Sequence, residues 1–334
     1  MEKPLISIII PAYNVEPYLL RCLDSIDSQS YENFECIIII DGSTDKTYDI
    51  AKNYCLNHPR FKVYYQDNAG SGSARNNGIA HSTGVLICFI DPDDWVEPDY
   101  LESMITEQQK GNYDLVISQS ISRKINSKDE IVSTSYNKKP LLSYFSKFDC
   151  RENFPDIMFV HHYLDGPICK LYRASIIRNN HVVFPDYRRS QDMVFNFRYF
   201  NHITSFSTIS QCTYNIRYEY PPRPGRGRNF TNYHEIVSKI FYELSKQLES
   251  WGLTKEYHEK FYSWAFWYVY ASIIQNVIAC HPFNYIQQEP FKTIINQARP
   301  KLTVQKLIRY LLSKKMYKLA AKLILCIQNY KNSY

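Results

Sequence analysis

The sequence predicts an α/β fold: a doubly wound, mostly parallel sheet followed by a helical region. Three observations carry that expectation. Strand-length apolar runs alternate with helical patterns from Leu5 to Ser118. The runs are apolar on both faces, the mark of strands buried inside a parallel sheet. One of them, Leu86–Ile90, stops abruptly at Asp91-Pro92-Asp93-Asp94, and open α/β sheets gather their ligands outside the carboxyl ends of their strands.

The elements follow in order. Leu5–Pro11 is a first buried strand, and Glu16–Ser28 carries apolar residues at 19, 20, 23 and 26, a helical spacing. Phe34–Ile40 is a second strand ending in Asp41-Gly42-Ser43-Thr44-Asp45. Asp-Gly marks a tight turn there, and the hydroxyls can cap a helix that runs to about Leu56. Phe61–Gln66 is a third strand, and the small-residue loop that starts at Asn68-Ala69-Gly70 enters a helix with Ala74-Arg75-Asn76-Asn77-Gly78. Leu86–Ile90 is the fourth strand, Pro98–Gln109 is helical and Leu115–Ser118 is a fifth strand. Ile121–Lys139 is polar and alternating, the pattern of a hairpin, and an α+β stretch continues to Arg217. Tyr218–Asn229 is Pro/Gly-rich and basic, a loop or linker; from about Asn232 the pattern is helical.

Composition bounds the class. A chain of 334 residues, 45% apolar and 22% charged, is globular, with room for one large domain and a smaller one. The aromatic content of 15% suits a protein that handles sugars or bases. Nine scattered cysteines without a Cys-x-x-Cys pair read as reduced thiols of a cytoplasmic protein. No secretory leader is visible before Leu5, and nothing points to a nucleic-acid partner.

The C-terminal region invites two readings. Phe261–Cys280 has no formal charge, but Ser263, Ser272, Gln275 and Asn276 dilute it and aromatics dominate, so a buried helix is expected. Val304, Leu307, Ile308, Leu311 and Leu312 form a helical stripe that Met316, Leu319, Ala320, Leu323, Ile324 and Ile327 continue. No acid follows Glu289, and Lys301–Tyr334 carries eight Lys or Arg residues. A basic amphipathic segment fits an anionic membrane surface, which would place the chain peripherally on the inner face of the cell membrane. The competing reading packs the stripe on neighbouring helices.

Asp91, Asp93 and Asp94 repel one another unless a cation neutralises them. Oxygen-only ligands suit Mg²⁺ or Mn²⁺. Tyr13, at the end of the first strand with Pro11 and Ala12, can stack on a base, and Asp41 can accept from a uracil imide. Arg75 lies just inside a helix that opens in a Gly/Ser loop, where backbone N–H groups can meet phosphate.

Taken together, Ser7-Ile-Ile-Ile-Pro-Ala-Tyr-Asn14, Asp41-Gly-Ser-Thr-Asp45, Ala74-Arg75-Asn76-x-Gly78 and Phe89-Ile-Asp-x-Asp-Asp94 resemble family-2 glycosyltransferases of the GT-A fold. Lys170-Leu171-Tyr172 and Gln191-Asp192-Met193-Val194-Phe195-Asn196 extend the resemblance, which covers roughly Pro4–Tyr214. It implies an inverting, metal-dependent transferase that moves a sugar from a nucleotide donor, a UDP-sugar, to a glycan or lipid-linked glycan acceptor in bacterial surface-polysaccharide assembly. Pro11, Ala12, Tyr13, Asn14, Asp41, Asn68, Gly70, Arg75, Asp91, Pro92 and Asp93 would bind the donor nucleotide. Asp93 would hold the metal, with Asp91 beside it on the ribose or a metal-bound water and Asp94 as the alternative ligand. Asp192 would be the base. Gln191 stands where Glu is usual in the family, and Ile40 where an Asp often precedes the Asp-Gly-Ser. Arg223, Arg226 and Arg228 are candidates for a lid over the diphosphate, and His162, Asp165 and Lys170 for the acceptor site.

The expected organisation is a GT-A domain over 1–217, divided into a nucleotide-sugar half (1–118) and an acceptor half (119–217), then a loop over 218–231 and a helical region over 232–334. Three rivals stand beside this reading. A phosphatase of the haloacid-dehalogenase type also ends a strand in Asp-x-Asp, but Trp95 occupies the place of its usual Thr or Val. A nucleotidyltransferase of sugar phosphates would open with a Gly-rich basic loop where this chain has Ala12-Tyr13-Asn14-Val15. A non-catalytic nucleotide-sugar-binding protein is the third, because of Gln191.

Overall fold

The structure is a computed structural model, and it describes residues 3–220, 232–252, 255–278 and 284–332. Two compact units emerge: Met1–Asn153 with His161–Arg223, and Phe154–Val160 with Pro224–Tyr334. The segment 154–160 therefore groups with the helical unit, although it lies inside the span expected to form the acceptor half.

The first unit is built on a ten-stranded sheet. Strands β1 (Ile6–Ala12), β2 (Phe34–Asp41), β3 (Phe61–Gln66) and β4 (Leu86–Phe89) are parallel, in the order β3-β2-β1-β4. The sheet continues through β5 (Trp95–Val96), β6 (Leu115–Ile125), β7 (Ile131–Asn137), β8 (Ser143–Tyr144), β9 (Lys170–Arg173) and β10 (Phe206–Glu219). Their order is β4-β9-β6-β10-β5, with β7 on the free side of β6 and β8 on β10. β9 runs antiparallel between β4 and β6, while β6 and β10 form a long parallel ladder. The expected fifth strand is longer than the apolar run suggests: β6 carries on as the first arm of the hairpin with β7.

Both faces of the parallel half are covered, which explains runs that are apolar at every position. Ile6, Ile8, Ile10 and Ala12 of β1, with Ile38 and Ile40 of β2, bury against α1 (Leu19–Asp27), α2 (Thr47–Asn57) and α4 (Tyr100–Gly111). Ile37 and Ile39 face the other way, onto Ala74 of α3 (Ser71–His81). α3 sits so close to β1 that a Cβ at Gly78 would fall 2.3 Å from Ile9 Cγ2. Smaller helices α5 (Lys147–Glu152) and α6 (Ala174–Asn179) and the buried α7 (Gln191–Phe200) complete the unit.

The second unit is helical: α8 (Tyr233–Ser250), α9 (Lys255–Ile278), α10 (Phe291–Gln297), α11 (Thr303–Ser313) and α12 (Tyr317–Asn332). α9 is its axis, burying Phe261, Trp264, Phe266, Val269 and Ile273 and packing on α8, α10 and α12. Phe241 of α8 stacks on Phe261 at 5.0 Å, and Phe159 packs on Trp264 at 5.1 Å. No helix among the described residues is long and apolar enough to cross a membrane. The C-terminal stripe divides: Ile308, Leu311, Leu312, Ala320 and Ile324 are buried, while Val304, Leu307, Met316 and Leu319 face solvent.

Candidate active site

The carboxyl ends of β1, β2, β3 and β4 carry loops that are laced to one another. Asn14 Oδ1 accepts from Thr44 N at 2.8 Å, Ser43 Oγ accepts from Asn14 N at 3.1 Å, and Thr47 Oγ1 accepts from Val15 N at 2.9 Å. Asp45 ties the pair further by accepting from Glu16 N and Thr47 N. Asn14 and the Ser/Thr-rich turn thus set the shape of the loop that presents half-exposed Tyr13.

Asp41 is buried, and its carboxylate holds the next loop. It accepts from Gln66 Nε2, Ala69 N and Gly70 N, each at 2.8 Å, and Asn68 Nδ2 donates to its carbonyl at 3.0 Å. Gly42 is required here: its φ is +68°, and a Cβ would lie 2.7 Å from Asn68 N. Ile40 is wholly buried in β2.

The Ala74–Gly78 motif now has a role for each residue. Ala74 and Gly78 let α3 lie on the sheet. Asn76 exchanges two hydrogen bonds with the backbone of Phe184 at 2.9 Å each, and Asn77 Nδ2 donates to Gln66 Oε1 at 2.8 Å. Arg75 is 4% exposed; its Nη2 donates to Asp91 and its Nη1 to Asp192, both at 2.8 Å, with the guanidinium 5.5 Å from the Phe184 ring centre. Sequence spacing suggested phosphate for Arg75; the structure uses it as a bridge between two carboxylates.

The three acids after β4 point differently. Asp91 and Asp93 are half-buried, with Pro92 buried between them. Asp94 is turned inward, where its oxygens accept from Arg217 N at 2.8 Å and Tyr214 Oη at 3.0 Å. Tyr214 Oη also accepts from Asp91 N at 3.0 Å, so one hydroxyl fixes both ends of the turn. Burial, then the charges of Asp91 and Asp93, push the Asp94 carboxyl well above the usual range. The sequence left Asp94 open as a metal ligand; both of its oxygens are engaged by the protein, while Asp91 and Asp93 are half-buried.

Asp192 opens α7. Burial raises its carboxyl; Arg75 opposes the shift, Asp91 adds to it and Lys170 opposes it, and the net direction is upward. Gln191 Nε2 donates to Ser71 Oγ at 2.8 Å, joining the first turns of α7 and α3. Two buried polar atoms here have no partner among the described residues, Arg75 Nε and Gln191 Oε1. Such atoms are rare away from functional sites.

Lys170, a candidate for the acceptor site, is buried. Its Nζ donates to the carbonyls of Gly166 at 2.5 Å and Ile168 at 3.2 Å, and burial lowers it to about 8. Asn196 Nδ2 donates to Leu164 O and Gly166 O, and Tyr172 Oη donates to Asn196 Oδ1 at 2.6 Å. Lys170, Tyr172 and Asn196, matched from two separate motifs, thus clamp one loop. On that loop His162 Nδ1 lies 3.2 Å from Asp165 Oδ2, both half-exposed.

The structure therefore brings Arg75, Asp91 and Asp192 together, with Asp93 beside Asp91. Asp41, Asn68 and Gly70 form a neighbouring loop. Arg223, Arg226 and Arg228 lie outside the described residues. Tyr214 and Phe184 were missed; each is an isolated aromatic in an ordinary apolar pattern, with no spacing to single it out.

Comparison with known proteins assigns the class. The family described as glycosyl transferase family 2 matches residues 7–180. The chain belongs to that family. EpsH of Bacillus subtilis (strain 168), named as a glycosyltransferase, is 34% identical over 223 residues, covering 65% of this chain and 62% of EpsH. The chondroitin synthase of Escherichia coli is 36% identical over 160 residues, 48% of this chain and 22% of that one. The chain thus spans under two thirds of the length of these relatives. Among solved structures, S. aureus TarS 1-349 in complex with UDP superposes with a TM-score of 0.67 at 18% identity, over 98% of this chain and 92% of TarS 1-349. That likeness shows the fold, a GT-A sheet followed by helices.

Proposed function

We propose that the chain transfers a sugar from a UDP-sugar to a hydroxyl of a glycan or lipid-linked glycan, with inversion and with Mn²⁺ or Mg²⁺, in the assembly of a surface polysaccharide. The observation that carries the reading is the Arg75 bridge, which holds Asp91 and Asp192 on one buried guanidinium at 2.8 Å each. The names of similar proteins support the donor class: TarS was solved with UDP and with UDP-GlcNAc, and a Pyrobaculum calidifontis mannosyltransferase with GDP-Man and Mn²⁺.

The residues present fit a hard divalent cation. Asp91 and Asp93 supply oxygen ligands, and their negative charge adds to burial in pushing Asp94 up. No group of three His, Cys, Asp or Glu side chains among the described residues forms a metal cage. A hard divalent ion can be held by one or two carboxylates together with donor phosphates and water. Asp93, with Asp91, would hold it, and when bound it would stabilise the charge on the departing diphosphate.

The chain's own residues do the rest. Tyr13 stacks on the base, and Asp41 holds Ala69 and Gly70 at the donor's edge. Asp192 takes the proton of the attacking hydroxyl, and its raised carboxyl suits it to that task. Arg75 keeps Asp192 oriented towards the donor side. The loop clamped by Lys170 presents His162 and Asp165 to the acceptor. Donor chemistry falls to residues 1–118 and acceptor binding to 119–217, and the helical region 232–334 brings the enzyme to the anionic inner face of the membrane. Incubating the chain with a panel of UDP-sugars and Mn²⁺ should release UDP. Phosphate release would instead favour a phosphatase, pyrophosphate a nucleotidyltransferase, and UDP binding without turnover a binding protein.

A further inference from the structure

The helical unit carries a feature that the transfer chemistry does not use. The end of α10 and the start of α11 border an open cavity of about 530 Å³ lined by Arg299, Pro300, Lys301, Lys306 and Arg309. Four of those five side chains are cations, and none meets a carboxylate among the described residues. Arg299 Nη1 donates to the carbonyls of Asn296, Gln297 and Ala298 at 3.0, 3.2 and 3.0 Å. Arg309 Nη1 reaches Ile295 O at 3.3 Å and shares Asn296 O at 3.4 Å. The two guanidiniums thus converge on the negative C-terminal end of α10. Capping that helix accounts for them. It does not account for Lys301 and Lys306, whose exposed ammonium groups have no partner among the described residues.

Exposed apolar side chains lie on the same stretch of chain. Leu302 is 65% exposed and Leu307 47%, with Val304 and Tyr310 exposed beside them. Lys306 and Tyr310 lie four residues apart on α11, and Lys314 at its C-cap follows four residues on. No acid follows Glu289 anywhere in the sequence. A soluble phosphate would satisfy the cations and leave the leucines in water. An anionic bilayer satisfies both, since basic groups meet headgroups while neighbouring apolar side chains enter the interface.

We propose that this cavity seats the phosphate of an anionic phospholipid headgroup, with Leu302 and Leu307 inserted into the bilayer interface beside it. The proposal rests on the membrane placement given above and names the residues that would make it. The test uses the full chain and vesicles of phosphatidylcholine, with or without phosphatidylglycerol, in a sedimentation assay. Binding should require phosphatidylglycerol and should weaken as salt rises. Lys301→Gln with Lys306→Gln should lower partitioning by about 30-fold, roughly fivefold per lysine. Because these exposed ammonium groups make no hydrogen bond or ion pair among the described residues, the variant's melting temperature should match the parent's. Leu302→Ser with Leu307→Ser should remove the binding that persists at high salt. Equal binding to both vesicle types, or unchanged binding by the lysine variant, would overturn the proposal. Binding is read without donor or turnover, so a failure here leaves the transfer reading intact, and a failure of UDP release leaves this one intact.

Discussion

At the amino end of the central sheet, Glu35 is buried between β1 and β3 and fully answered. It accepts from Ser7 Oγ and Thr83 Oγ1 at 2.8 Å, from Thr83 N at 2.6 Å and from Lys62 Nζ at 3.0 Å. Burial alone would raise its carboxyl, but these donors outweigh burial and hold it at about 2. At the carboxyl end of the same sheet, Asp192 and Asp94 are raised instead, burial being the largest cause for each. At one end the donors outweigh burial; at the other burial outweighs the donors, and the carboxyls are held above their ordinary range. Perturbation by burial next to like charge is what marks a site for chemistry. A contented buried carboxylate is part of the frame.

The sharpest way to test the contrast is to neutralise the base. Asp192→Asn should lower kcat by roughly 10²–10⁴ while leaving UDP affinity nearly unchanged, as expected of a group that acts on the acceptor. In the parent enzyme kcat should fall as pH drops through the raised value of Asp192, because only the carboxylate can take a proton. Its acid limb should therefore lie above the ordinary aspartate range. A limb at or below that range would remove the reason for assigning Asp192.

Breaking the bridge should come next in size. Arg75→Met leaves Asp91 and Asp192 without their shared cation, and a broken buried ion pair costs about 3–5 kcal/mol. Denaturant unfolding would show that loss, and Arg75→Lys should recover only part of it, since one ammonium cannot reproduce the fork.

At the amino end the expected effect is on stability. The folded value of Glu35 lies below the unfolded one, so the unfolded chain takes up the proton first as pH falls. The carboxylate therefore contributes about 3 kcal/mol above pH about 4.5, lost progressively as pH falls towards 2. Glu35→Gln should flatten that part of the stability curve and leave transfer rates alone. The smallest effect tests the scaffold beneath both ends. Gly78→Ala pushes a methyl into Ile9 Cγ2, 2.3 Å away, and should cost about 1–3 kcal/mol in denaturant unfolding.

Much of this was legible in the sequence, for identifiable reasons. β1 to β4 were readable because strands covered on both faces must be apolar at every position. The four strand ends were readable because polar residues stop those runs abruptly. The length of β6 was not, because its second half, paired between β7 and β10, carries a polar alternation that looks like a separate hairpin. The inward turn of Asp94 was hidden as well, since Tyr214 and Arg217, which hold it, lie far along the chain in β10. The Arg75 bridge was hidden for the same reason: its partner Asp192 is 117 residues away. The C-terminal stripe looked like one surface, yet packing of α12 on α9 and α11 divides it into core and rim.

The central claim, that the carboxyl end of the sheet binds a nucleotide through a cation while Asp192 serves the acceptor alone, is tested most directly by calorimetric titration of UDP with and without Mn²⁺ into the parent, Asp93→Ala and Asp192→Asn chains. UDP should bind the parent and Asp192→Asn alike, only with Mn²⁺ present, and should fail to bind Asp93→Ala. Binding that ignores Mn²⁺ in all three chains, or that disappears in Asp192→Asn while persisting in Asp93→Ala, would contradict it.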